Sequence, residues 1–153
     1  MRLIGAACAG FLIAVLWMDL IFDTQVLPHH GADVLPESAL DSIAGYYHRA
    51  TTTSRPMSYL IAVTMGILLG TLAFRWFSHP GWLTLVATLL AAVPILLASI
   101  RTVPNAKRLG NRGGTLAEQT RLARAICLDH LVCLASMSAF LAVWVVLPAG
   151  GTP

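Results

Sequence analysis

The stretch LIGAACAGFLIAVLWMDLIF, Leu3 to Phe22, contains a single charged side chain, that of Asp19. The hydrocarbon core of a membrane is about 30 Å thick, and a helix of about 20 apolar residues crosses it. A lone segment in lipid can pair its backbone amides only with its own carbonyls, so it must be helical. The stretch therefore predicts a transmembrane helix.

Three more windows of similar length and character follow, at residues 57–76, 82–100 and 125–147. The whole chain is 57% hydrophobic and 11% charged, whereas a soluble domain usually carries about 25% charged residues. Its mean hydropathy of +0.74 points the same way. We predict an all-α integral membrane four-helix bundle that forms one membrane domain over residues 1–153.

The loop between the first two spans contains a helical pattern of its own, in PESALDSIAGYYHRA, residues 36–50. Apolar residues recur there at the spacing of one helix face. They are Leu40, Ile43, Ala44 and Tyr47. We predict a short amphipathic helix over 36–50 on the cytoplasmic side, with Tyr46 and Tyr47 at the membrane-water boundary.

The connection between the third and fourth spans contains a kink signal and a start signal. Pro104 predicts the kink, because proline lacks the amide hydrogen that a helix interior needs. The motif TLAE, Thr115 to Glu118, predicts a capping box, in which the two side chains satisfy each other's free amides. The fourth helix should therefore begin before its apolar part.

Basic residues are unevenly distributed between the two sides of the predicted bundle. One side has only Arg2 and Arg75, and the other has all the remaining ones. These are Arg49, Arg55, Arg101, Lys107, Arg108, Arg112, Arg121 and Arg124. Positive loops stay in the cytoplasm, so we expect an inner (plasma) membrane protein with both termini outside and its basic loops cytoplasmic. This topology accounts for the net charge of +3, so we expect contact with membrane lipids and no binding of nucleic acid.

Ionisable residues from distant parts of the chain are predicted to meet at one depth. Asp19 and Asp23 lie at the cytoplasmic end of the first span, and Arg101 lies at the same end of the third. Asp129 and His130 lie in the first membrane turns of the fourth. Ionisable residues inside a membrane are costly and commonly mark a functional site.

Asp19 and Asp23 are four residues apart, on one helix face, so their carboxylates repel each other unless a partner is present. Arg101 is the first candidate partner, because a guanidinium can bridge two carboxylates, and Arg55 and Arg124 are the alternatives. Such contacts could be a purely structural ion-pair network.

A metal is the other candidate partner for the two acids, which could bind one together with His130 and also His48. The sequence lacks Glu-x-x-His and His-x-x-x-His pairs, and it identifies neither a metal nor a cofactor.

Two classes of function fit these residues. In the first, the chain is a small membrane enzyme or a binding protein for a lipid-like or aromatic compound. Here His130 transfers a proton, Asp129 or Asp23 orients the imidazole of His130, and Arg101 binds an anionic part of the ligand. In the second, the chain is a scaffold or accessory subunit that contacts another copy or a membrane partner.

The scaffold contact would use Gly66 and Gly70, whose GxxxG spacing lets helices approach closely. A transporter is a third alternative, because four-helix exporters also carry an acid in their first helix.

The segments RTVPNAKRLG, residues 101–110, and RLARAICLDH, residues 121–130, carry a resemblance. They resemble small bacterial four-helix membrane proteins of unknown role and, more distantly, the anthrone oxygenase-like group. Pro104, Asn105 and His130 are the matching positions, and Cys133 stands where that group has an arginine. The resemblance implies a membrane-embedded pocket that oxidises an aromatic or lipid-like substrate without a bound organic cofactor, with His130 as a catalytic residue.

Overall fold

The computed structural model describes residues 1–146, and this part of the chain is helical without any β-strand. The α-helices are α1 Arg2–Asp23, α2 Glu37–Thr52, α3 Arg55–Ser78, α4 Trp82–Leu97, α5 Val103–Gly110 and α6 Leu116–Val146. A 3-10 segment, Thr24–His29, extends α1, and a π-helical turn, Ala98–Thr102, joins α4 to α5.

Four helical segments are long and apolar enough to cross a membrane, which confirms the predicted helical class and the number of candidate spans. They are Arg2–His29, Arg55–Ser78, Trp82–Gly110 and Leu116–Val146. Each contains one predicted window, except that the last predicted residue, 147, lies outside the described residues. The segments extend past the windows because helix ends are set by caps and turns as well as by apolar composition.

The capping box sets the start of α6. The backbone amide of Glu118 donates to the Thr115 hydroxyl at 3.2 Å, and the Thr115 amide donates to the Glu118 carboxylate at 2.8 Å. The helix therefore begins at Leu116, well before its apolar part, as predicted.

The amphipathic helix is confirmed as α2, with Pro36 as its N-terminal cap residue. Its buried residues are the four predicted ones, Leu40, Ile43, Ala44 and Tyr47. Tyr47 is 4% exposed and faces α1 and α6, and the expected place of the two tyrosines at the membrane-water boundary stays a prediction. A phenol on the apolar face of a helix is carried inward with its neighbours, and it then needs a buried hydrogen-bond partner.

The predicted distortion near Pro104 takes the form of a wide π-helical turn that immediately precedes it, after which the helix continues to Gly110. Such turns are rare, and they occur frequently at functional sites. Here the turn contains Arg101 and Thr102, and both side chains contact Asp129 of α6.

Two apolar cores hold the helices together. One joins α1, α3, α4 and α6 and includes Leu12, Leu68, Ala91 and Phe140. The other joins the end of α1 to α2, α5 and α6 and includes Leu20, Ile43, Leu109 and Ile126. Along α6, His130 lies between the residues of the second core and those of the first, so a layer of polar side chains separates the two cores.

Helices α2 and α5 pack closely because α5 ends in a glycine. A Cβ atom added to Gly110 would lie 2.7 Å from the backbone nitrogen of His48. A side chain at this position would push α2 away, and α2 carries the tyrosines of the polar layer.

Candidate functional site

Helix α1 supplies two carboxylates one turn apart. Asp23 is completely buried, whereas the side chain of Asp19 is 18% exposed. They share a helix face because residues four apart lie one above the other, as the sequence predicted. Each carboxylate contacts polar groups on other helices, so neither is directed away from the protein.

Helix α2 supplies one phenol to each acid. The Tyr47 hydroxyl donates to Oδ1 of Asp23 at 2.6 Å, and the Tyr46 hydroxyl donates to Oδ1 of Asp19. Burial, and then the neighbouring carboxylates, raise the pKa of both phenols well above the usual range. Both hydroxyls are therefore protonated at neutral pH and act as donors.

Helix α6 inserts His130 between the two acids. Its Nδ1 atom lies 2.6 Å from Oδ2 of Asp23, and its Nε2 atom lies 3.8 Å from Oδ2 of Asp19. An ionised carboxylate can only accept a hydrogen bond, so an ionised Asp23 places the ring proton on the Nδ1 atom. Asp23 thereby orients the imidazole and leaves Nε2 directed toward Asp19.

The predicted arginine partner of the acids is wrong, because His130 occupies that position. Arg101 instead pairs with Asp129, with its Nε atom 3.3 Å from Oδ2. Arg124 donates to the backbone carbonyls of His29 and Ala32, at 2.8 and 2.5 Å, and so holds the segment after α1. The π-helical turn carries Arg101 toward α6 and away from the acids of α1.

Asp129 is correspondingly separated from the other acids, although it is adjacent to His130 in sequence. Neighbouring positions on a helix point in directions about 100° apart. The Asp129 carboxylate accepts from Arg101 and lies 3.3 Å from the hydroxyl of Thr102, whose single proton it shares with the Leu97 carbonyl at 3.1 Å. Of the two acids predicted to orient the histidine, Asp23 does so and Asp129 does not.

The predicted metal alternative used the two acids of α1 and His130, with His48 as an optional further ligand. His48 is exposed on α2 and lies beside Asp41 and Gly110, away from the acids of α1. Within residues 1–146, no group of three or more His, Cys, Asp or Glu side chains is arranged so that it could hold a metal ion, although His130 contacts Asp23 and lies near Asp19.

A cavity of about 640 Å³ lies against this polar layer. Asp19, Tyr46, Tyr47 and His130 line its inner side. Apolar side chains of α1 and α3, including Val15, Met18, Met57 and Ile61, line its walls, and Arg55 is among the residues at the start of α3 that border it. Its volume is in the range of small-molecule sites, and apolar walls with a few polar groups are typical of them.

The sequence reasoning missed the two tyrosines as members of the site. A signal was present, because Tyr47 belongs to the apolar face of α2, where a phenol must find a buried acceptor. The acceptor itself lies on another helix and could not be identified from spacing along α2. No pattern in the sequence indicated that Tyr46 would reach Asp19.

The arrangement can hold and exchange protons. It contains two phenols, two carboxylates and one imidazole, connected by contacts of hydrogen-bond length except for the longer one between Nε2 and Asp19. That longer separation lies beside the cavity, where a bound group can contact both atoms. A histidine oriented by a buried acid is a common form of general acid or base.

No protein-family model, curated protein or solved structure shows significant similarity to this chain. The resemblance to the anthrone oxygenase-like group therefore stays a prediction that rests on the residues quoted above.

Proposed function

We propose that this chain is a multi-pass protein of the inner (plasma) membrane that takes a lipid-like or aromatic molecule into the cavity beside His130. Its four apolar segments form a bundle, its basic loops are cytoplasmic and both termini are outside. The uneven distribution of lysine and arginine supports this orientation.

The observation that carries the proposal is that Asp19 and His130 line one cavity with apolar walls. A closed structural network would need no such cavity. Within the site, His130 is the proton-transfer group, Asp23 and Tyr47 orient it, and Asp19 receives or supplies the proton. The substrate supplies the group that is protonated or deprotonated.

Tryptophan substitutions test the proposal by filling the cavity. Ser58 is exposed and lines the cavity, whereas Ala73 is exposed on the same helix and does not line it. Detergent-purified wild-type protein and Ala73→Trp should retain the same co-purifying lipid-like molecules in mass spectrometry, and Ser58→Trp should lose them. Equal retention by both variants, or no retained molecule in any of them, would count against a binding site.

The second candidate is a non-catalytic scaffold, and the open face of α3 favours it. Cβ atoms added to Gly66 and Gly70 would meet no atom within 4 Å, so this face is free to contact another copy or a membrane partner. Gly66→Leu should then disrupt an assembly seen in cross-linking, while Asp19→Asn leaves it intact. Under the first proposal, Asp19→Asn abolishes activity and Gly66→Leu does not.

A further inference from the structure

Three cationic side chains from three different helices line the cavity. They are Arg49 of α2, Arg55 of α3 and Lys107 of α5. All three are exposed, and among the described residues none of them forms an ion pair, whereas Arg101 and Arg112 pair with aspartates. Unpaired cations around one concave site concentrate positive potential there.

The start of α3 adds to this potential. Ser54, Arg55 and Ser58 belong to its first turn or precede it, and all three line the cavity. The amino end of a helix carries a partial positive charge, which favours an anion. The amides of this first turn add little, because Pro56 has no amide hydrogen and the amides of Met57 and Ser58 donate to the Ser54 carbonyl at 3.1 and 3.2 Å. The charged side chains and the amino end of α3 therefore both favour an anionic group.

The rest of the cavity favours an apolar group in the ligand. Val15 and Met18 of α1 and Ile61 of α3 provide apolar walls. The carboxylate of Asp19 on the inner side disfavours a second anionic group in the ligand. The cavity thus combines a cationic part, an apolar part and one acid.

Building on the proposed function, we infer that the ligand is an amphiphile with one anionic headgroup, a phosphate or carboxylate, bound by Arg49, Arg55 and Lys107. Its apolar chain lies against Val15, Met18 and Ile61.

The test is titration calorimetry on the full chain in neutral detergent micelles. The probes are decyl phosphate, decanol and inorganic phosphate, which separate the contributions of chain and headgroup. The variants Arg55→Gln and Lys107→Gln each remove a charge from the cavity. Arg108→Gln and Arg121→Gln are matched controls, because both residues are exposed and neither lines the cavity. Arg55→Lys keeps the charge.

We expect decyl phosphate to bind wild type more than about tenfold more tightly than inorganic phosphate, because burial of the chain adds free energy. Each cavity variant should raise its Kd about fivefold, while the two controls and Arg55→Lys stay near wild type. If Arg108→Gln weakened binding as much as Lys107→Gln, the attraction would be general to the basic surface and the inference would fail.

Two other outcomes also overturn the inference. Decanol binding as tightly as decyl phosphate would remove the headgroup from recognition while leaving the proposed cavity function in place. Inorganic phosphate binding as tightly as decyl phosphate would make the ligand a small anion. If Ser58→Trp leaves decyl phosphate binding unchanged, the cavity is not the binding site and the proposed function fails as well.

Discussion

The Nδ1 atom of His130 lies 2.6 Å from Oδ2 of Asp23, although the two residues are 107 positions apart in the chain. Asp23 is completely buried, and its other oxygen accepts from Tyr47 at 2.6 Å. A buried carboxylate with two donors fixes the ring in one orientation. The contact therefore defines which face of α6 meets α1.

Replacing Asp23 should destabilise the protein more than replacing any exposed acid. Asp23→Ala leaves the Tyr47 hydroxyl and the His130 ring without their buried acceptor, at a cost of about 3 kcal/mol. Asp33→Ala is the matched control, because Asp33 is exposed. Thermal unfolding in detergent should show a lower Tm for Asp23→Ala alone, and equal Tm values would contradict the described network.

The two tyrosines should respond unequally to loss of their hydroxyls. Tyr47→Phe removes a donor from a fully buried acid and should cost about 1 to 3 kcal/mol. Tyr46→Phe should cost less, because Asp19 is partly exposed to the cavity and water can replace the phenol. Tyr59, which is 69% exposed, provides the control Tyr59→Phe. Chemical denaturation gives the free energy of unfolding of the three variants. A larger decrease for Tyr46→Phe than for Tyr47→Phe would contradict this prediction.

Loss of Arg101 and loss of Asp129 should lower the stability of the protein by different amounts, although the two residues form one ion pair. The Arg101 side chain is 49% exposed, whereas that of Asp129 is 3% exposed. Asp129→Asn leaves a guanidinium that water can solvate, while Arg101→Met leaves a buried carboxylate with only Thr102 as a donor. We expect Arg101→Met to lower the Tm more than Asp129→Asn. The double variant, measured in the same way, should recover part of that loss.

Gly110→Ala should loosen the contact between α5 and α2. The added methyl group would meet backbone atoms of His48, which cannot rotate away, so we expect a loss of about 1 to 3 kcal/mol. Gly10 lies in α1 with no atom near an added Cβ, so Gly10→Ala should be neutral or stabilising. Thermal unfolding of Gly110→Ala and Gly10→Ala checks this prediction. An unchanged Tm for both variants would contradict the close contact between α2 and α5.

The orientation in the membrane can be tested with single cysteines. Asn111→Cys lies in the basic loop and His79→Cys in the short loop between α3 and α4, and both positions are exposed. A membrane-impermeant maleimide should label His79→Cys on intact cells, and Asn111→Cys only after permeabilisation. The native cysteines are buried and should contribute little background. The opposite labelling pattern would invert the proposed topology.

Local features of the chain were predictable from the sequence. The four apolar segments, the buried face of α2 and the Thr115 cap all depend on residues within one or two turns of each other. The shared face of Asp19 and Asp23 is equally local, because it follows from helix geometry. The general gathering of ionisable groups near one end of the spans also followed, since depth in a membrane can be counted along each helix.

The partners of those groups could not be read from the sequence. Whether Arg101 or His130 meets the acids depends on how far each helix is rotated about its axis, and depth says nothing about rotation. The π-helical turn rotates Arg101 toward Asp129, and the close packing of α2 on α5 brings Tyr46 and Tyr47 to α1.

The sequence by itself determined the four apolar segments and the amphipathic helix α2, because these depend on hydrogen bonds and apolar patterns within single segments. Only the tertiary structure decided that a histidine and two tyrosines, and not Arg101, contact the two acids of α1. Those contacts depend on the relative rotation of packed helices, which is fixed by side-chain packing between residues far apart in the chain.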